Sequence, residues 1–172
     1  MKEMIRYGLI LASICVIASA SLAAVNSVTK TRILSQAKSE EEAGLKEVVP
    51  EGARFDAVKS GNETIYYKAF DKNGMAAGVA FKAEGKGYSS VIETLAGMKN
   101  DGTIIAVKIL NHNETPGLGA RVAEHSFTGQ FANKNIRDLN QVQAITGATI
   151  SSKAVMDSVK KKAEEIKNLL KD

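Results

Sequence analysis

The sequence predicts an α+β fold: an antiparallel hairpin sheet with a packed C-terminal helix, preceded by one N-terminal transmembrane helix. Three observations carry this. Tyr7–Val25 is a run without a charge, two pairs of strand-like segments turn on Asn/Asp-Gly signals, and the chain ends on one apolar stripe at helical spacing. A length of 172 residues suits one membrane segment and one compact domain. The divisions read from texture are an anchor over 1–30, a helical linker over 31–50 and a domain over 51–172.

The apolar run has about the 20 residues a helix needs to cross a bilayer. Lys2 and Arg6 precede it and Lys30 and Arg32 follow, so flanking charge alone does not set its orientation. A basic start, an apolar middle and Ala18-Ser19-Ala20 also fit a cleavable signal peptide. Apolar character continues through Leu22-Ala23-Ala24-Val25, so a retained anchor is the expectation. Either reading puts the body outside the cytoplasm. Ser13, Ser19 and Ser21 are tolerated because a helix satisfies such hydroxyls on its own carbonyls. Cys15, the single cysteine, follows Ile14, where a lipid-attachment site wants a small residue. It reads as a small apolar member of the helix.

Thr31–Val48, rich in Glu, Ala and Lys, reads as a helix leading away from the membrane, punctuated by Pro50 and Gly52. Strand texture begins near Phe55. Thr64–Phe70 and Met75–Ala83 flank Asp71-Lys72-Asn73-Gly74, and Ser89–Met98 and Thr103–Leu110 flank Lys99-Asn100-Asp101-Gly102. Two hairpins imply an antiparallel sheet. Ser151–Lys171 then sets Ala154, Val155, Val159, Ala163, Ile166 and Leu170 along one helical stripe. Tyr66, Tyr67, Phe70, Phe81 and Tyr88 read as core or sheet surface, and Glu40-Glu41-Glu42 and Lys160-Lys161-Lys162 as solvated helix faces.

Several function classes fall away. A net charge of +4 with 5% aromatics supplies neither a basic stripe nor a stacking platform for nucleic acid. With no cysteine in the body, disulfides and cysteine metal clusters are not expected there. His112 and His125 lack further ligands at metal-binding spacing and read as solvent-facing or hydrogen-bonded.

Two segments are unlike ordinary connectors. Glu114-Thr115-Pro116-Gly117-Leu118-Gly119 follows a strand with one fixed φ and two permissive glycines. Such a loop either brings peptide groups close to a flat ligand or makes a tight strand-to-helix turn. Ile145-Thr146-Gly147-Ala148-Thr149-Ile150-Ser151-Ser152 crowds hydroxyls and small residues at the mouth of the last helix. It suits a phosphate at a helix N-terminus, with Lys153 adding positive charge, or simple capping by Ser151 or Ser152. No P-loop pattern is present.

Thr146-Gly147-Ala148-Thr149 resembles the flavinylation motif of the FMN-binding domain family. His112-Asn113-Glu114-Thr115-Pro116-Gly117-Leu118-Gly119 resembles that family's second signature. The pair, in this order behind one membrane segment, is similar more narrowly to the G subunits of Rnf ion-translocating electron-transport complexes. The similarity runs from about Gly87 through Lys160 and loosely to the N-terminus. It implies covalent FMN on Thr149 through a phosphoester, placed there by a flavin transferase that takes FMN from FAD. Cofactor contacts would come from Glu114, Thr115, Pro116, Gly117, Leu118 and Gly119, where the ring would lie, and from Thr146, Gly147, Ala148, Ile150, Ser151 and Ser152.

The resemblance further implies an internal electron relay, with other membrane subunits of the Rnf complex as partners and no catalytic residue of its own. The chain has no dinucleotide fingerprint and no iron–sulfur cysteine pattern, in keeping with that division of labour. One position departs from the family, which usually has aspartate where this chain has Gln143. A transferase that reads this position would load the chain more slowly. Two other readings stand beside this one. The C subunits of sodium-pumping NADH:quinone oxidoreductases have related motifs, typically with a longer stretch between anchor and motif. A tethered binding module without flavin would use 146–152 only as a helix cap.

Overall fold

No proline interrupts the chain before Pro50, and one helix, α1 (Lys2–Val48), runs through this region in a computed structural model that describes residues 2–61 and 63–170. Met4, Ile5, Leu9, Leu11, Val16, Ile17 and Leu22 are all exposed on it. A helix apolar on every side is a buried helix or a membrane span. Its most apolar window has a mean hydropathy of 2.3, the length and composition of a membrane-crossing helix. Ser13 and Ser21 donate to the carbonyls of Leu9 and Ile17 at 2.8 Å, so these hydroxyls are satisfied within the helix.

The chain divides into two compact units, Met1–Glu40 and Glu41–Asp172. Strand texture starts only after 51, yet compaction starts at Glu41, because Leu45, Val48 and Val49 are buried in a core of the second unit. That unit is built on five antiparallel strands in sequence order: β1 (Arg54–Ser60), β2 (Glu63–Phe70), β3 (Ala76–Lys86), β4 (Val91–Met98) and β5 (Ile104–Asn111). Both predicted hairpins form. Asp71 Oδ1 accepts from the N–H groups of Asn73 and Met75 at 2.8 Å, and Asp101 Oδ1 from that of Thr103 at 2.7 Å. Gly74 (φ 80°) and Gly102 (φ 93°) take the left-handed conformation these turns demand. The additional strand, β1, is a mostly exposed edge strand, so it carries little alternation to read from sequence.

Each face of the sheet is covered by a helix. Helix α3 (Thr149–Leu169) lays Val155, Val159, Ala163 and Ile166 over Phe81, Ile92, Ala96 and Met98. On the other face Leu45, Val48 and Val49 meet Ala69, Ala80 and Leu95. This explains why β4 is buried on both faces from Thr94 to Met98, whereas the second half of β3 alternates. The stretch between β5 and α3, without assigned elements at the level of sequence, forms short turns of helix. They are the 3₁₀ segments Gly119–Ala123, Gly129–Phe131 and Ile136–Gln141, and α2 (His125–Thr128). They bury Val122, Phe127, Phe131, Ile136 and Leu139, with the rings of Phe127 and Phe131 edge to face at 5.5 Å. α3 begins at Thr149 rather than Ser151, and Lys171, the predicted end of that helix, lies outside the described residues.

Candidate functional site

Three segments meet at the head of α3: the turn 87–90 after β3, the loop 112–119 after β5, and the approach 145–152. One side chain ties them. Glu114 is buried, and its carboxylate accepts from the Ser89 and Ser90 N–H groups at 2.9 and 3.0 Å, the Tyr88 N–H at 3.3 Å and the Ser151 hydroxyl at 2.5 Å. Burial works to raise its carboxyl pKa, but the bonds from Ser151 and from the N–H groups of Ser90, Ser89 and Tyr88 outweigh it and hold the value below the ordinary one. The Ser90 hydroxyl adds a strut, accepting from the Asn113 N–H at 2.7 Å, and His112 Nδ1 accepts from the Glu114 N–H at 3.3 Å.

Glycines make this convergence possible. A Cβ on Gly87 would lie 2.6 Å from Glu114 Oε1, and one on Gly119 would lie 2.5 Å from Oε2 and 2.9 Å from Ser151 Oγ. Larger residues would push the carboxylate out of its place. Sequence singled out Gly119 but not Gly87, Ser89 or Ser90. Gly87 and Ser89 contribute through small size and a backbone group, and Ser90 adds one hydroxyl bond to Asn113, none of which leaves a residue-type signature.

The loop itself closes on Thr115, whose carbonyl accepts from the N–H groups of Leu118 at 3.1 Å and Ala120 at 3.2 Å. Pro116 and Gly117 (φ 75°) sit exposed at its tip. Leu118 is half exposed and lies beside Gly147, whose own φ of 84° fits a tight turn closed by the Ala148 N–H on the Ile145 carbonyl at 2.9 Å. The 114–119 and 146–152 segments are therefore neighbours in space.

Capping by Ser151 or Ser152 is not what the structure shows. The N-cap of α3 is Ala148, with no side-chain cap bond. Both serines lie buried inside the first turn and their hydroxyls are taken by the loop. Ser151 bonds Glu114, while Ser152 accepts from the Ile145 N–H at 3.0 Å and donates to the Ala148 carbonyl at 2.9 Å. Thr146, Gly147, Thr149 and Ile150 remain exposed. The first amide to bond back along the helix is that of Ser152, on the Ala148 carbonyl. The N–H groups of Thr149, Ile150 and Ser151 thus lack intrahelical acceptors. Gln143 is exposed, and its N–H donates to Gln130 Oε1 at 2.9 Å. A separate groove of 810 Å³ between β1–β2 and the middle of α3 is lined by Glu63, Tyr66, Lys82 and Lys162, and by none of the site residues.

Two family matches bracket the chain. The RnfG N-terminal region matches residues 1–48, and the FMN-binding domain matches residues 87–164. A relative from Methanosarcina acetivorans, the G subunit of an ion-translocating oxidoreductase complex, is 35% identical over 92% of each chain. The chain belongs to the G-subunit family of these complexes. A second member, the G subunit of the Na(+)-translocating ferredoxin:NAD(+) oxidoreductase complex of Acetobacterium woodii, is 31% identical over 99% of this chain and 95% of its own. Among solved structures, Shewanella oneidensis NqrC superposes with a TM-score of 0.55 at 21% identity, covering 72% of this chain and 73% of that one. That likeness is one of fold. The match over residues 87–164 gives the chain an FMN-binding domain. Its site fits that cofactor, with an exposed threonine hydroxyl and free N–H groups at a helix head, and exposed apolar Leu118 and Ile150 beside the same loops.

Proposed function

We propose that this chain is the electron-relay subunit of a membrane-bound, ion-translocating ferredoxin:NAD oxidoreductase of the Rnf type, carrying FMN as a phosphoester on Thr149. One observation carries the reading, namely how the hydroxyls of 146–152 are used. Ser151 and Ser152 are spent inside the fold; Thr146 and Thr149 are exposed, and of these two Thr149 stands at the first position of α3, where the free N–H groups lie. A flavin transferase loads it. Thr149 Oγ1 bonds to the FMN phosphorus of FAD, the pyrophosphate P–O bond breaks, AMP leaves, and the hydroxyl proton passes to a base of the transferase. Gly147 and Ala148 keep that approach uncrowded, and the loop around Leu118 receives the apolar ring.

When bound, the flavin supplies one- and two-electron chemistry, and the protein supplies position and electrostatics. The ester prevents loss of the cofactor by dissociation. Residues 1–30 serve as a retained anchor, and the domain works on the extracytoplasmic side against other membrane subunits. The relatives' place in ion-translocating complexes and the apolar, charge-free Tyr7–Val25 support the anchor and the partner subunits.

Intact-mass measurement on protein from its native membrane tests the assignment. The expected mass is that of the chain plus one FMN less one water, with a fluorescent band on a denaturing gel that vanishes in Thr149→Ala. A bare residue 149 in natively assembled material overturns it.

A further inference from the structure

The head of α3 has what ordinarily draws a phosphate, three N–H groups without intrahelical acceptors at the positive end of a helix dipole. A carboxylate is already there. Glu114 reaches the first turn through the Ser151 hydroxyl at 2.5 Å, its residue is 5% exposed, and every donor to it is neutral. No cation pairs with it among the described residues. The bonds it accepts keep it ionised at neutral pH. The fold has therefore placed a buried negative charge against the first turn of a helix whose N-terminus would otherwise favour a phosphate.

We propose that Glu114 is a specificity-determining residue: its charge, held against the first turn of α3 through the Ser151 hydroxyl, opposes a phosphate at the helix head, so that the site rejects free FMN and holds flavin only as the Thr149 ester. This inference rests on the reading that Thr149 carries FMN, and it explains why a bond is needed at all. A free phosphate monoester carries about −1.5 to −2 charges at pH 7. Once Thr149 Oγ1 replaces one ionisable oxygen, the phosphodiester carries one. Esterification thus lowers the like charge brought up to Glu114, and the bond keeps in place what electrostatics would expel. Glu114 acts here on the phosphate through the field it sets, as a positioning and selecting group rather than as a ring contact.

The probe pair is FMN and riboflavin, which differ only in the phosphate. Unmodified full-length chain, made without a flavin transferase and kept in detergent micelles, is dialysed to equilibrium against each at low salt. The wild-type chain is expected to hold FMN no more tightly than riboflavin. FMN held threefold or more tightly than riboflavin overturns the proposal. In Glu114→Gln the ratio of FMN to riboflavin affinity is expected to rise at least threefold, and a folded variant with a smaller rise overturns it. Should Glu114→Gln fail to fold, the wild-type ratio decides alone. Failure of the flavin assignment is read separately. Native protein without FMN by intact mass sinks the Thr149 reading, whereas native protein that carries FMN but whose unmodified form binds free FMN tightly sinks this inference only.

Discussion

On one face of the sheet the carbonyl of Val48 comes up to Gly97, and on the other the carbonyl of Ala154 comes up to Gly85. Both helices are seated by the same device, a strand glycine that lets backbone meet backbone. The two faces differ in how their carboxylates are held. On the α1 face Glu41 is partly exposed and bridges the Lys82 ammonium at 2.5 Å and the Tyr67 hydroxyl at 2.7 Å. On the α3 face Glu114 is buried and meets only neutral donors from separate segments. One face carries a surface ion pair that water largely compensates, and the other carries a buried charge on which the shape of a loop cluster depends.

The seating glycines give the largest expected effect. Adding a methyl at Gly97 or Gly85 drives it into a helix carbonyl, and each alanine variant should lose about 3 kcal/mol of stability. The faces then separate by function. With Thr149 as the proposed acceptor, Gly85→Ala, which displaces the start of α3, should lower FMN loading, whereas Gly97→Ala should load normally once folded at low temperature. Denaturant unfolding and gel fluorescence measure the two. Equal loading defects would mean that the acceptor geometry depends on the whole sheet.

Truncating the carboxylates comes next. Glu114→Ala leaves the Ser89 and Ser90 N–H groups and the Ser151 hydroxyl without an acceptor, and is expected to cost about 2–3 kcal/mol. Glu41→Ala removes a partly exposed pair and should cost about 1 kcal/mol or less. Similar losses at both positions would erase the distinction between the faces.

Acid sharpens the same contrast. The folded-state pKa of Glu114 lies below its ordinary 4.5, so the unfolded chain takes up the proton first. Its contribution is therefore complete above pH 4.5 and is lost as pH falls through the folded value. Wild-type stability should drop below pH 4.5 more steeply than that of Glu114→Gln, followed by unfolding at a series of pH values. Parallel curves would show that the clamp does not sense protonation.

How much of this was legible depended on where the signal lives. The hairpin turns were readable because Asp71, Gly74, Asp101 and Gly102 each do a job only their residue types do well. The stripe on α3 was readable because Val155, Val159, Ala163 and Ile166 recur at helical spacing. The two motifs were readable as a resemblance. Their mutual geometry was not, since it is set by Glu114 reaching across the fold to Ser151 and to backbone N–H groups of Ser89 and Ser90. Ser151 and Ser152 looked like caps because capping is what serines commonly do at helix starts, and only long-range partners reassigned them. Glu41 likewise looked solvated within an acidic run, and its ties to Tyr67 and Lys82 are invisible without the strand register.

The smallest expected effect probes that last contact from the alkaline side. Burial first, and then the hydrogen bond to Glu41, push the Tyr67 phenol up to about 12 from its ordinary 10.0. A raised folded-state pKa contributes stability that is present below pH 10.0 and lost as pH rises through about 12. Tyr67→Phe removes the bond to Glu41 and should cost about 1 kcal/mol at neutral pH. The same change should flatten the alkaline loss of stability and leave FMN loading untouched, because the contact sits on the face away from α3. A loading defect in Tyr67→Phe would mean that the α1 face is coupled to the acceptor, and the separation of the two faces would then be wrong.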